Sequence, residues 1–108
     1  MSTKKPTPMS DKTIATLEKI SKKKLTLGNL LWAIREGEEM TQKDFAALLE
    51  VSPQYLCDVE RGRKIVSAKA AAFFAEKLGR PPLKFVRLAL QDELNKFGLR
   101  FEVDIKAA

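Results

Sequence analysis

TQKDFAALLEVSPQYLCDVERG, residues 41–62, reads as two short helices folded sharply back on one another. Thr41 opens the first, and Asp44 three residues on makes a capping-box-like start, in which each side chain satisfies a free backbone N–H. Phe45, Leu48 and Leu49 supply its buried side, while Ala46 and Ala47 let a neighbour approach closely. Ser52 caps the second helix, with Pro53 in the first turn, where a missing N–H costs nothing. Leu56 and Val59 point inward, and Gly62 stops the helix as a left-handed cap. Only EVSP separates the two runs, so Gln54, Tyr55 and Asp58 arrive together at the front of the second helix.

The flanks are helical as well. Leu27, Leu30, Leu31 and Ile34 follow the i, i+3, i+4, i+7 spacing of an amphipathic helix that starts after Thr26 and ends near residues 35–37. Ser67 caps a further helix, with Ala68, Ala71, Ala72, Ala75 and Leu78 at helical spacing before Gly79. Pro81 or Pro82 opens the last one, whose apolar side is expected at Phe85, Val86, Leu90, Leu94 and Phe97, up to Gly98. The expected fold is all-α, with five helices over residues 26–97.

Residues 1–25 form a basic arm. Its first nine residues are rich in proline, Ser/Thr and lysine and are expected to be disordered, and Ser10 can cap a short helix to about Ile20 before SKKK interrupts it. The other end, residues 98–108, changes period. LRFEVDI, residues 99–105, alternates apolar and charged side chains, the pattern of one short strand. A lone strand cannot satisfy its own backbone, and the only other candidate, KLTL at residues 24–27, competes with a helix start. The strand's partner is then a second copy or another protein, or else the tail packs locally.

One domain is what 108 residues allow, and 44% apolar with 31% charged residues is ordinary for a soluble globular chain. No apolar run approaches the roughly 20 residues needed to cross a bilayer. The opening MSTKKPTPMS has lysines but no apolar stretch behind them, unlike a signal peptide. A single cysteine, Cys57, cannot form an internal disulfide, so a reducing cytoplasm is the expected location. The net charge of +6 is uneven: residues 1–26 hold seven lysines against Asp11 and Glu18, and the rest is nearly balanced. A basic arm suits contact with a polyanion, or serves only as a solvated tail.

Catalysis has little to stand on here. The chain has no histidine, which removes the usual imidazole base and the common zinc clusters, and none of its five glycines falls in a phosphate-binding loop. Asp92 and Glu93 are adjacent on a helix and point apart, so they make no catalytic pair. Neither enzyme activity, a cofactor nor a metal site is expected. Cys57 reads as a small, partly buried residue; as a redox sensor it would have only Arg61, one turn away, to lower its pKa.

Two short helices joined by a turn of about three or four residues can place one of them in a DNA major groove. Arg35, Met40, Thr41, Gln42, Phe45, Ala46, Leu49, Val51, Ser52, Leu56, Val59, Glu60 and Gly62 carry a more specific likeness. In their order and spacing, the run from Leu27 to about Gly79 resembles the helix-turn-helix domain of phage repressor and Cro-type regulators, the xenobiotic-response-element family. Glu50 departs from it, standing where the family usually has glycine and where a left-handed backbone is needed.

The resemblance implies a role for each matching residue. Gln54, Tyr55 and Asp58 would meet base edges; Gln42, Arg61, Arg63 and Lys64 would hold phosphates; Arg35 and Glu60 would form a structural ion pair. Glutamine chemistry agrees, since Gln54 can present one donor and one acceptor to adenine. Asp58 can accept from cytosine, or instead orient Arg61 as a helix-surface pair. Tyr55 can pack on a phosphate or a thymine methyl. The family implies a homodimeric repressor on a palindromic site in double-stranded DNA, either free-standing or as the autoregulating antitoxin of a small toxin protein. The alternative is a helix-turn-helix kept as a protein-binding module with weak DNA binding.

Overall fold

The computed structural model describes residues 25–108, so the lysine arm and the short helix expected near Ser10 lie outside the described residues. Five helices follow in order: α1 Leu27–Gly37, α2 Gln42–Leu49, α3 Pro53–Glu60, α4 Ala68–Lys77 and α5 Pro82–Lys96. Each start has a local chemical cause. Thr26, Thr41, Ser52 and Ser67 accept from backbone N–H groups of the first turns at 3.0–3.1 Å, and α5 opens on Pro81 and Pro82 instead. Leu27 is thereby committed to α1 rather than to a KLTL strand.

All five helices end the same way. After α3 the Arg63 N–H reaches the Asp58 carbonyl and the Gly62 N–H reaches Val59, the paired bonds of a Schellman turn. The same pairing ends α4 at Gly79 and α5 at Gly98, all three glycines having positive φ. The other two turns use glutamate. Glu39 (φ 56°) ends α1 and Glu50 (φ 62°) ends α2. Gly37, the expected stop of α1, is its last helical residue, and the Arg35 guanidinium donates to the Met40 carbonyl at 2.9 Å across the turn beyond it.

The core begins at Leu25 and gathers Leu27, Leu30, Leu31 and Ile34 with Phe45 and Leu49, then Leu56 and Val59. Gly28 lies where α1 meets α3, and a Cβ there would overlap the Val59 carbonyl. That close approach seats α3 on α1. In α4 the buried line runs through Ala71, Phe74 and Ala75, while Ala72 and Leu78 are only half-buried.

The apolar side expected of α5 needs correction. Its buried stripe is Phe85, Leu88, Ala89 and Asp92; Val86, Leu90 and Leu94 are half-buried, and Phe97 is 64% exposed. Asp92 explains the difference. It completes the inward stripe as a carboxylate, accepting from the Leu27 N–H at 3.0 Å and so tying α5 to the start of α1. A pattern reading scores that position as polar and shifts the stripe.

The short C-terminal strand is also corrected. Among the described residues there is no strand, and residues 99–108 form no regular element. Among the described residues the tail's only backbone–backbone bond is the Leu99 N–H to the Leu94 carbonyl, part of the turn that ends α5. Beyond it a side chain holds the tail: Gln91 on α5 donates to the Phe101 carbonyl and accepts from the Val103 N–H, both at 2.8 Å.

Candidate nucleic-acid interface

The α2–α3 turn is set by Glu50 in the left-handed region, Val51 tucked half-inward and Ser52 capping α3. The Glu50 carboxylate also meets the Lys77 ammonium at 2.7 Å, which raises the lysine above its ordinary value through that hydrogen bond. Leu56 and Val59 bury one side of α3, leaving Gln54 fully on the outer side and Asp58 at its edge.

Those two residues form a chain with a third. Gln54 Nε2 donates to Asp58 Oδ1 at 3.1 Å, and Arg63 Nε donates to the same oxygen at 3.1 Å. Asp58 therefore orients Arg63, not Arg61. The reason is the Schellman turn at Gly62, which swings Arg63 back over α3 while Arg61 leaves the helix outward. With its charge offset by a guanidinium, Asp58 repels phosphates less, and Gln54 keeps its carbonyl oxygen and a second N–H to offer. One Arg63 terminal nitrogen also lies 3.9 Å from the Cys57 sulfur.

Tyr55 does not stand on an exposed face. Its ring packs edge-on against Phe74 of α4 with centroids 6.4 Å apart, half-buried, and burial raises its phenol above the ordinary value. Lys64 extends over the ring, 5.7 Å from its centroid. The turn at Gly62 accounts for this placement too, because it folds residues 63 and 64 back along α3.

Behind α3 lies the pair of Arg35 and Glu60. Arg35 Nε and one terminal nitrogen bind the two carboxylate oxygens at 2.8 and 3.1 Å, with side chains 11% and 4% exposed. The bonded carboxylate raises the guanidinium above its ordinary value, outweighing desolvation. Gln42 Nε2 joins from the start of α2, donating to Glu60 Oε1 at 2.9 Å. Gln42 is thus held by this network, with its remaining amide groups available at the surface.

Trp32 is what the sequence reading missed. It sits on the outer side of α1, 47% exposed, and shares with Asn29, Arg35, Gln42, Glu60 and Arg61 the lining of a cleft of about 310 Å³. Periodicity counts only the buried line of α1, so an exposed tryptophan one turn before Arg35 goes unremarked. Arg61 makes no ion pair with any described residue. The cleft therefore joins an outward cation, an aromatic face and the anchored Gln42 at the edge of α3.

A helix-turn-helix family model matches residues 33–85, from within α1 to the first turn of α5. This match supports a helix-turn-helix domain of the Cro/CI type. Neither curated proteins nor solved structures gave a significant match. The helix pair α2 and α3 lies within the matched residues, and the match supports DNA binding. Among the described residues no helix is long and apolar enough to cross a membrane, and no His/Cys/Asp/Glu group could hold a metal ion.

Proposed function

We propose that this chain is a sequence-reading DNA-binding regulator that acts as a dimer on a palindromic operator, in the cytoplasm, and represses its own gene. The observation that carries this reading is the outer side of α3: Gln54, Asp58 and Arg63 in one bonded line, with Arg61 and Lys64 beside its end. Its opposite side is fixed by the Gly28 contact and the Arg35–Glu60 pair. A reading helix needs this combination, because rigid support makes the difference between right and wrong bases count.

Residue roles follow from chemistry. Gln54 reads an adenine edge with its free carbonyl oxygen and N–H. Asp58 holds Gln54 and Arg63 in place, and Arg63 contacts the backbone. Arg61, with Trp32 and Gln42 beside it, takes a phosphate, and Lys64 adds another.

The test is fluorescence anisotropy on DNA from upstream of the chain's own gene, at two salt concentrations. Gln54→Ala is expected to lose about 1–3 kcal/mol on the specific site and little on unrelated DNA. Arg61→Ala should weaken binding on all sequences and flatten the salt dependence by roughly one phosphate contact. Equal loss of both variants on every DNA would show that Gln54 is not a reader.

A further inference from the structure

We infer that the tail at residues 99–105 is one prepared edge of a two-fold interface, pairing antiparallel with the same segment of a second copy and with Phe101 facing Phe101. This rests on the dimeric reading above and supplies its contact.

The backbone bonds of the tail fall on one side. Leu99 donates its N–H to Leu94 of α5, and a single Gln91 side chain bridges the Phe101 carbonyl and the Val103 N–H. A carbonyl and the N–H two residues later are what one residue of a neighbouring strand would bind, so Gln91 substitutes for a strand on that edge. Among the described residues nothing binds the backbone groups of Arg100, Glu102 and Asp104, which an extended segment would turn to the opposite edge. The tail forms no strand by itself but has one side already held, and ordering of that kind lowers what pairing must overcome.

The side chains call for a cover. Leu99 and Phe101 are 45% and 67% exposed, on the face that also carries half-buried Val103 and Ile105. Charge then selects the occupant and the register. With the two-fold axis at Phe101, Arg100 stands opposite Glu102 of the other copy, twice by symmetry, and Leu99 stands opposite Val103. An axis at Glu102 sets two carboxylates face to face, and an axis at Val103 sets Arg100 against Lys106 and Glu102 against Asp104. Only the Phe101 register complements itself throughout. It also agrees with the backbone: Arg100 and Glu102 exchange bonds across the free edge, and Phe101 becomes a non-hydrogen-bonded pair, where side chains come closest.

The test uses the full chain, with mass by light scattering and DNA binding by anisotropy on a single half-site. Wild type is expected to be a dimer. Arg100→Glu and Glu102→Arg should each give monomers, and the double reversal R100E/E102R should restore the dimer. In a Cys57→Ser background, Phe101→Cys should form a covalent dimer on oxidation, because non-hydrogen-bonded pairs bring Cα atoms to about 4.5 Å. Ile105→Cys, far from its copy in this register, should form no covalent dimer. Unchanged charge variants, or a double reversal that stays monomeric, overturn the inference. So does a monomeric wild type, which would leave the edge to a different protein; Gln54-dependent half-site binding in that sample would leave the DNA reading standing.

Discussion

Asp92 holds the start of α1 by accepting from the Leu27 N–H, but burial raises its carboxyl from an ordinary 3.8 to about 6. The folded protein therefore binds this proton more tightly than the unfolded chain. The stability it contributes is full below about pH 4 and is lost as pH rises through 6, on the order of 2–3 kcal/mol in all. Asp92→Asn keeps an acceptor for Leu27 and removes the buried charge. Urea unfolding should find it about 2 kcal/mol more stable than wild type at pH 8, with the margin closing towards pH 4; a pH-independent margin would contradict this. Glu50 is strained in a different way, with a side chain on a left-handed residue. Glu50→Gly and Glu50→Ala both lose the Lys77 pair, but only glycine relieves the backbone. Glycine should exceed alanine by about 1 kcal/mol in the same unfolding assay.

Elements here are joined by a few defined contacts. α3 can read DNA only if α1 holds it, and the crossing at Gly28 leaves no room for a methyl group against the Val59 carbonyl. Because the obstacle is backbone and not a flexible side chain, Gly28→Ala should destabilise by about 1–3 kcal/mol. The residual folded protein should bind DNA less tightly, since α3 must shift away from α1. Thermal unfolding together with anisotropy checks both; an unchanged melting temperature would show that the crossing can open freely. α5 marks the limit of pattern reading at this scale. Two apolar lines run along it, one through Phe85, Leu88 and Ala89 and one through Val86, Leu90 and Leu94, and the buried line is the one completed by an acid.

At the scale of the whole molecule, the proposed dimer matters because one helix of this length reads few bases, so two in fixed relation would supply the specificity. The body from residue 27 onward carries almost no net charge, which leaves little non-specific attraction to compensate for a lost half-site. Two half-sites about one helical turn apart should bind well, and an insertion of about 5 bp, which rotates one half-site to the far side, should abolish cooperative binding. Gel shifts over a spacer series test this; equal affinity at every spacing would mean the copies act independently.

Much of the helical plan was legible in the sequence because its signals are local. Thr41, Ser52 and Ser67 cap helices through their own hydroxyls, Gly62, Gly79 and Gly98 supply left-handed stops, and the Leu27, Leu30, Leu31 and Ile34 line buries itself. The strained Glu50 was anticipated through the family resemblance, which has glycine at that turn position. The rest depends on residues far apart in the chain. Asp92 joins Leu27 across 65 positions, Gly28 is needed because Val59 crosses there, Tyr55 turns inward because Phe74 receives its ring, and Asp58 takes Arg63 because the Gly62 turn brings it back. The alternation of LRFEVDI was visible, but whether an alternating segment becomes a strand is fixed by what its backbone can bind, and among the described residues that is the end of α5 and one glutamine side chain, not a neighbouring strand. Local chemistry sets where helices begin and end, whereas burial and partner choice are properties of the packed chain.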